Sequence, residues 1–203
     1  MAIRREIEGR LRGLSANRGL SRYGERARAI GTCLLLAITV FANSPAGSEG
    51  LDENQVKAAY LFNFARYVEW PQSAFDSQSS SIEIGVVGGG TVSKLLKKTV
   101  IGKKVGNRPL RVLDFASPSE GRDSHILFVP GDADGSDLKQ IVDDLEGTHA
   151  FVVADADGFA RKGGIANFIV SDQRVRFAIN ESAAKRAGLK VSSKLLRLAE
   201  LVD

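Results

Sequence analysis

The sequence predicts an α/β domain with a mostly parallel sheet flanked by helices, a C-terminal antiparallel hairpin and two terminal helices. From residue 51 onward, short apolar segments typical of buried strands alternate with amphipathic segments typical of helices. This alternation indicates a parallel sheet covered by helices. Near the C-terminus, two strand patterns follow each other across only three residues, as in a hairpin. The composition, 43% hydrophobic and 26% charged, is that of a chain with a packed core.

The first predicted element is an amphipathic helix between Leu51 and Pro71. Asp52 suits the N-cap position, and apolar side chains recur behind it at spacings of three and four residues. Pro71 ends the pattern because proline cannot donate a backbone hydrogen bond. The serine-rich segment that follows, up to Ser81, predicts a surface loop.

Strand and helix patterns then alternate up to residue 154. The predicted strands span residues 82–87, 109–115, 125–129 and 148–154, and the predicted helices span residues 92–98 and 137–146. The last two strands are apolar almost throughout, which is typical of central strands buried on both faces. Glycine-rich turns connect several of these elements, notably at residues 88–90 and 102–107.

The C-terminal part departs from this alternation. Strand patterns at 165–170 and 174–180 predict an antiparallel hairpin, and the second strand alternates apolar and polar side chains, so one of its faces is expected in the core. Asn180 is expected to cap a helix that ends near Ala187. A last helix over residues 194–201 is expected to begin after Ser192 or Ser193.

Ahead of this domain, residues 1–46 have the pattern of a secretory signal peptide. A basic stretch precedes an apolar run over residues 29–42, and small residues follow at Ser44 and Ala46. The apolar run is shorter than the roughly 20 residues that span a bilayer. We expect cleavage after Ala46 and export of residues 47–203; a buried core helix and an uncleaved anchor are the alternatives.

The charge of the chain lies mainly in this leader. Residues 1–46 hold eight Arg and three Glu, an excess of five positive charges, and because the whole chain carries +4 the remaining residues sum to −1. A domain so close to neutral lacks the basic field of a nucleic-acid-binding protein. The one cysteine, Cys33, lies in the apolar run. The exported domain therefore has no disulfide, no thiolate nucleophile and no thiolate metal ligand.

Two motifs resemble known ligand sites only in part. Gly88 and Gly90 match the first two glycines of a dinucleotide fingerprint and Asp114 ends the next strand, but Ser93 replaces the third glycine, so a simple turn is the favoured interpretation. Acidic clusters at 132–135 and 155–158 depart from the spacing of calcium loops and predict surface turns. His125 and His149 are expected to have structural roles, and we expect no metal site, no cofactor and no catalytic residues.

Two groups of residues are candidates for binding a protein partner. The first lies at the end of the first helix and combines aromatic and basic side chains, which supply much of the binding energy in protein interfaces; it comprises Phe62, Asn63, Arg66, Tyr67 and Trp70. The second is a glycine-rich tract containing Gly163, Gly164, Asn167 and Phe168. Core packing is the alternative for Tyr67 and Trp70, and close packing inside the fold is the alternative for the glycine tract.

Four segments of the chain resemble the YfiR/HmsC-like family of periplasmic proteins. They are VKAAYLFNFARYVEWP (residues 56–71), HILFV (125–129), GGIANF (163–168) and RVRFAINESAAKRAGLKVSSKLLRLA (174–199). They follow the order found in the family and span nearly the whole exported domain. The resemblance implies a small α/β domain, often dimeric, that binds the periplasmic part of an inner-membrane diguanylate cyclase and holds it inactive.

This resemblance implies a repressor of cyclic-di-GMP signalling and biofilm formation, without a cofactor. Relatives carry cysteines that form disulfides, including one before the HILFV-like strand where this chain has Ser124, so redox control is not expected here. Relatives also occur in other gene contexts, and a sensor kinase is a second candidate partner beside the cyclase. The alternative function is a small-molecule receptor component whose pocket lies at the strand ends near residues 88–90. An exported hydrolase is a third option.

Overall fold

The computed structural model describes residues 52–131, 138–172 and 174–203. The helices are α1 (Glu53–Tyr67), α2 (Gly90–Val100), α3 (Leu138–Asp144), α4 (Glu181–Arg186) and α5 (Ser193–Leu196). The strands are β1 (Val68–Glu69), β2 (Ile82–Val87), β3 (Lys104–Val105), β4 (Arg108–Phe115), β5 (Ile126–Val129), β6 (Phe151–Ala154), β7 (Ala166–Ser171), β8 (Arg174–Asn180), β9 (Lys190–Val191) and β10 (Glu200–Val202). Two 3₁₀ turns, Gln72–Ala74 and Ala160–Lys162, complete the set. The predicted signal peptide and the predicted acidic turn at 132–135 lie outside the described residues.

The main sheet has eight strands in the order β10-β8-β7-β6-β5-β2-β4-β3. Five neighbouring strands of the sheet run parallel, namely β7, β6, β5, β2 and β4. In contrast, β8 pairs antiparallel with β7, and β3 pairs antiparallel with β4. The predicted fold class, a mostly parallel sheet with a C-terminal hairpin, is therefore confirmed. From β2 the chain moves outward to β4 and then returns to β5 on the other side of β2. The strand order thus reverses between β2 and β5, where doubly wound folds open a crevice.

Helices cover both faces of this sheet because successive side chains of a strand point to opposite sides. On one face, Phe64 of α1 is fully buried and its ring lies 5.3 Å from Phe151 and 5.2 Å from Phe177, centroid to centroid. On the other face, Ile141 of α3 and Phe159 pack over the second side of the sheet. Within the described part of the chain, no helix has the length and hydrophobicity needed to cross a bilayer.

The caps of three helices form where the sequence predicts them. The side chain of Asp52 accepts a hydrogen bond from the backbone of Asn54 at the start of α1, and Asn180 does the same for Ala183 at the start of α4. Ser192, rather than Ser193, caps α5. A side chain that accepts a bond from an unpaired helical N–H typically stabilises the helix by about 1 kcal/mol.

The end of the chain differs from the prediction of a helix over residues 194–201. Helix α5 ends at Leu196, and Glu200–Val202 forms β10, which pairs parallel with β8. The leucines in this segment recur at helical spacing, so periodicity favoured a helix. A strand forms because it satisfies backbone groups on the outer edge of β8, an interaction that local sequence does not reveal. The two-residue pair of β1 with β9 was not predicted for the same reason.

Candidate functional site

The end of α1 carries four of the predicted partner-binding residues. Arg66 is exposed, whereas Phe62, Asn63 and Tyr67 are half-buried. The backbone of Tyr67 is held in place, since its carbonyl accepts a hydrogen bond of 2.9 Å from the N–H of Ser192. These side chains therefore stand on a helix end that β1, β9 and the cap of α5 fix to the fold.

Two cations flank the rings of this surface. The guanidinium carbon of Arg66 lies 5.8 Å from the centroid of Phe62 and 5.6 Å from that of Tyr67. The ammonium nitrogen of Lys103, from the turn after α2, lies 4.6 Å from the centroid of Phe62. Such cation–π contacts are favourable by about 0.5–1 kcal/mol at exposed positions. These four residues, together with the exposed Ile101 that stands two residues before Lys103 in the same turn, are called the basic aromatic patch below: Phe62, Arg66, Tyr67, Ile101 and Lys103.

Trp70 differs from the residues of this patch because it is tied to the sheet. Its indole N–H donates a hydrogen bond of 3.0 Å to the carbonyl of His125, at the start of β5. The indole ring also meets the His125 imidazole edge to face, with centroids 5.8 Å apart. Trp70 therefore joins the segment after α1 to the sheet, whatever further contact it makes.

The predicted glycine-rich tract lies largely inside the molecule. Asn167 and Phe168 are only 1% and 2% exposed, and Gly164 is also buried. A Cβ atom on Gly164 would lie 2.2 Å from the ring of Phe159, so only glycine fits at this position. Gly163, half-buried, has a φ of 99° and ends the 3₁₀ turn.

Asn167 holds two segments of the interior together. Its Oδ1 accepts a hydrogen bond of 3.1 Å from the N–H of Ala160, and its Nδ2 donates to the carbonyl of Phe168. Asn180 donates to the carbonyl of Ala160 from the neighbouring strand. Because these groups are buried, the structure does not bring the two predicted groups to one exposed surface.

A crevice of 540 Å³ opens at the point where the strand order reverses between β2 and β5. Gly88, Gly89 and Gly90 line it with positive φ angles of 71°, 65° and 79°, which side chains other than glycine rarely adopt. Asp114, the acid that a dinucleotide site would require, instead accepts hydrogen bonds from Ser93 and from Lys97. These two hydrogen bonds lower the pKa of Asp114. The turn interpretation of the glycines is therefore favoured over a dinucleotide site.

Lys57 is the charged residue that sequence reasoning missed in this crevice. It is 3% exposed, and its ammonium group donates to Glu53 in α1 and, at 2.5 Å, to Asp155 beyond β6. Burial by itself lowers the pKa of Lys57, but the hydrogen bonds that it donates to Asp155 and Glu53, together with the negative charges of both, outweigh burial and raise the pKa above its ordinary value. Lys57 therefore stays charged inside the fold. The available signal was a lysine at helical spacing from the buried Leu61 and Phe64.

The two histidines border a larger polar cavity of 740 Å³ at the opposite ends of the parallel strands. His125 accepts a hydrogen bond of 3.2 Å from the N–H of Glu83 through Nδ1, and its ring stacks on Phe75. Burial lowers the pKa of His125; a backbone hydrogen bond with Ala74 opposes this effect, and the charge of Arg108 adds to it. His149 contacts the carbonyl of Ala187 at 2.8 Å. Among the described residues, no three His, Cys, Asp or Glu side chains are grouped to hold a metal ion.

The chain matches the model of a known protein family. A family model described as YfiR/HmsC-like matches residues 54–200 of the 203-residue chain. A search of curated proteins gives no match. The family match includes every element from α1 to the beginning of β10, and so covers the basic aromatic patch, the crevice and the glycine-rich tract alike.

Two solved structures show a distant likeness. One is a conserved domain protein from Vibrio cholerae O1 biovar El Tor, with 14% identity and a TM-score of 0.44 over 60% of this chain and 55% of that one. The other is an ABC domain from Streptococcus pneumonia in complex with L-Trp, with 12% identity and a TM-score of 0.43 over 62% of this chain and 55% of that one. This chain thus spans about half the length of each, and neither likeness bears on its ligands or activity.

Proposed function

The chain belongs to the YfiR/HmsC-like family, and from this we propose that it is a periplasmic binding protein that represses a membrane-bound diguanylate cyclase or a related signalling enzyme. Repression lowers cyclic-di-GMP and therefore biofilm formation. The observation that carries the proposal is the family match over residues 54–200. Proteins of this family are regulatory, and the protein is proposed to act by contact and not by catalysis.

The surface at the end of α1 supports this proposal. Exposed arginine beside half-buried aromatic rings is the combination that most often dominates the binding energy of protein interfaces. Arg66, Phe62 and Tyr67 provide it on a helix that is fixed to the core. Asn63 adds an amide group beside them. We propose that these residues contact the periplasmic part of the partner, which is a cyclase or a sensor kinase.

The proposal includes export. The basic, apolar and small-residue order of residues 1–46 supports cleavage near Ala46, which releases residues 47–203 into the periplasm. A homodimer is proposed as the functional form, on the pattern of the family. Light scattering of the protein purified from the periplasm tests this form: twice the mass of residues 47–203 is expected, and a monomer at micromolar concentration contradicts it.

Gene deletion tests the proposed function. Without the protein the partner cyclase is released, so intracellular cyclic-di-GMP and biofilm mass are expected to rise. Complementation with the full chain is expected to restore both to the parental level. A chain without residues 1–46 serves as the control, because it stays on the wrong side of the inner membrane and is expected to restore nothing. An unchanged nucleotide level after deletion contradicts the proposal.

A small-molecule receptor component is the second candidate function. The specific observation in its favour is the 540 Å³ crevice at the strand-order reversal, with the buried charge of Lys57 in its wall. A ligand present at about 100 times its Kd stabilises a protein by about 2.7 kcal/mol, which raises the Tm of a domain of this size by about 5–10 °C. A thermal-shift screen against periplasmic metabolites tests it. Saturable stabilisation that Lys57→Met abolishes favours the receptor.

A further inference from the structure

We propose that the basic aromatic patch is a docking site for an acidic protein segment that carries an apolar anchor side chain. The inference rests on the proposed function and deepens it, because it names the chemistry by which the partner is recognised. The patch joins the end of α1 to the turn after α2, two elements that are distant in sequence. It is defined by Phe62, Arg66, Tyr67, Ile101 and Lys103.

Among the described residues, the cations of the patch have no acidic partner. The described residues form seven ion pairs, and neither Arg66 nor Lys103 takes part in any of them. Arg108 offers a contrast: it also stacks on an aromatic ring, but its guanidinium donates to the carbonyls of Ser77 and Ser80. The donors of Arg66 and Lys103 are therefore free for an external acceptor. A carboxylate suits the fork of a guanidinium because it can accept two hydrogen bonds.

The turn that carries Lys103 also exposes an apolar side chain. Ile101 caps the end of α2 and is 77% exposed, more than any other large hydrophobic residue in the described ranges. A single exposed isoleucine needs no explanation on its own. Two residues before Lys103 in the same turn, however, it supplies the apolar part of a mixed interface. The partner therefore needs an apolar residue close to its carboxylates.

The patch is built on rigid parts of the fold. Two backbone hydrogen bonds hold the turn that carries Lys103. The N–H of Lys103 donates to the carbonyl of Val100, and the N–H of Leu110 donates to the carbonyl of Lys103. Gly102 takes a φ of 68°, which lets the chain reverse there. Both cations stack on the same ring, so the positions of their charges are coupled. A preformed surface loses little conformational entropy on binding.

Protein is favoured over the two other polyanions. Binding to anionic lipid typically requires clusters of about four to eight basic residues, and nucleic-acid domains carry basic stripes with strongly positive net charge. The patch has two cations, Arg66 and Lys103, and even with the adjacent exposed Lys104 it stays below four, on a domain whose residues 47–203 sum to −1. Guanidinium stacked on aromatic rings is instead typical of specific protein contacts.

Peptide titration tests the docking site directly. ¹⁵N-labelled protein purified from the periplasm is titrated with the peptide Glu-Glu-Leu-Glu-Glu, blocked at both ends. Chemical-shift changes are expected at residues 62–67 and 101–103, and higher salt is expected to reduce them. Glu-Glu-Ser-Glu-Glu is expected to bind more weakly, and Lys-Lys-Leu-Lys-Lys not at all. Shifts confined to other residues, or equal binding of the basic peptide, overturn the proposal.

Matched variants separate the patch from general electrostatics. The double change Arg66→Gln and Lys103→Gln keeps side-chain length but removes both charges, and an approximately tenfold loss of peptide affinity is expected. Lys162→Gln is the control, since this exposed lysine is outside the seven ion pairs and lies beside the turn at Gly163 that packs near α3. It is expected to change affinity less than about twofold. Unchanged Tm values establish that both proteins fold.

Two further outcomes distinguish this inference from the proposed function. Binding to phosphatidylglycerol vesicles without binding to the acidic peptide identifies a membrane surface and overturns the docking site. In the deletion strain, the double variant is expected to leave cyclic-di-GMP high whereas Lys162→Gln restores it. If the double variant restores cyclic-di-GMP to the parental level, the docking site is contradicted but the proposed repressor function is not. If the acidic peptide binds at the patch but gene deletion does not change cyclic-di-GMP, the proposed repressor function is contradicted but the docking site is not.

Discussion

At the scale of single residues, Ser124 is the least satisfied side chain of the interior. It is 3% exposed and its hydroxyl oxygen has no hydrogen-bond partner among the described residues. A Cβ atom on Gly85 would lie 2.7 Å from this oxygen and 2.9 Å from the ring of Phe115, so Ser124 packs closely against β2. A buried hydroxyl without a partner typically costs about 1–3 kcal/mol.

Ser124→Ala is therefore expected to raise the free energy of unfolding by about 1 kcal/mol, because it removes an unsatisfied polar group and keeps the volume nearly constant. Urea unfolding measures the change. Ser73→Ala is the control: Ser73 is exposed, its hydroxyl contacts His149, and an effect within about 0.5 kcal/mol is expected. A clear loss of stability in Ser124→Ala shows that the hydroxyl has a partner after all.

The ion-paired Lys57 gives a second residue-scale prediction. Asp155→Asn leaves the buried ammonium group of Lys57 with Glu53 as its remaining partner, and is expected to lower the free energy of unfolding by about 2 kcal/mol. This is less than the loss for a fully buried pair because Asp155 is partly exposed. Lys57→Met removes the buried charge itself and is expected to cost less. Chemical unfolding of both variants checks the order. A larger loss of stability in Lys57→Met than in Asp155→Asn contradicts the interpretation that Asp155 stabilises the fold by neutralising the buried charge of Lys57.

His125 predicts how stability depends on pH. Its pKa in the folded state lies below the ordinary 6.5, because of burial and then the nearby Arg108, so the unfolded chain binds the proton more readily. Stability is therefore lost as the pH falls through 6.5 towards the folded value. His125→Gln is expected to flatten this loss between pH 7 and 5 in urea unfolding, whereas His149→Gln keeps it. Parallel curves for His125→Gln and the parent protein contradict the prediction.

At the scale of elements, sequence analysis correctly predicted the strands and helix caps whose signals lie within a few consecutive residues. Strands β2 and β8 match their predicted bounds, and the caps at Asp52 and Asn180 form as expected. Element β10 was missed because leucines at helical spacing imitate a helix, and only pairing with β8 decides the outcome. Tertiary contact overrides local propensity in such segments.

A pair of substitutions tests β10. In the strand, Val202 is 7% exposed and Leu201 is 59% exposed. Val202→Asp is expected to cost about 2–4 kcal/mol, since it places an unpaired carboxylate in the interior. Leu201→Asp is expected to change stability by less than about 0.5 kcal/mol. Thermal and urea unfolding compare the two, and a larger cost for Leu201→Asp contradicts the strand.

In the candidate site, too, residues that are close in sequence could be grouped in advance, whereas residues brought together by packing could not. Arg66, Phe62 and Tyr67 share one helix end, so their grouping could be read from sequence. Lys103 and Ile101 join them only because α2 packs beside α1, which no local pattern reveals. The glycine-rich tract was ambiguous for a physical reason: Gly164 permits close approach equally well in an interior and at an interface, and here the neighbour is the buried Phe159.

At the scale of the whole molecule, α1 links the two candidate sites. Its first turns carry Glu53 and Lys57 at the crevice, and its last turn carries Arg66 and Tyr67 in the basic aromatic patch. Along the helix axis, Glu53 and Arg66 are roughly 20 Å apart, and Lys57 and Arg66 are roughly 13 Å apart. Changes at one end are therefore expected to leave binding at the other end intact, so receptor and repressor functions are tested independently. The neutral body around them disfavours unspecific binding to polyanions.

We propose that residues 47–203 act by contact with a membrane-bound enzyme from its periplasmic side. Spheroplasts of the deletion strain expose that side to the medium, so purified protein added outside reaches the partner without entering the cell. Cyclic-di-GMP inside the spheroplasts is expected to fall with added protein, and to stay high with the Arg66→Gln, Lys103→Gln double variant. An internal level that does not respond to the added parent protein contradicts the account.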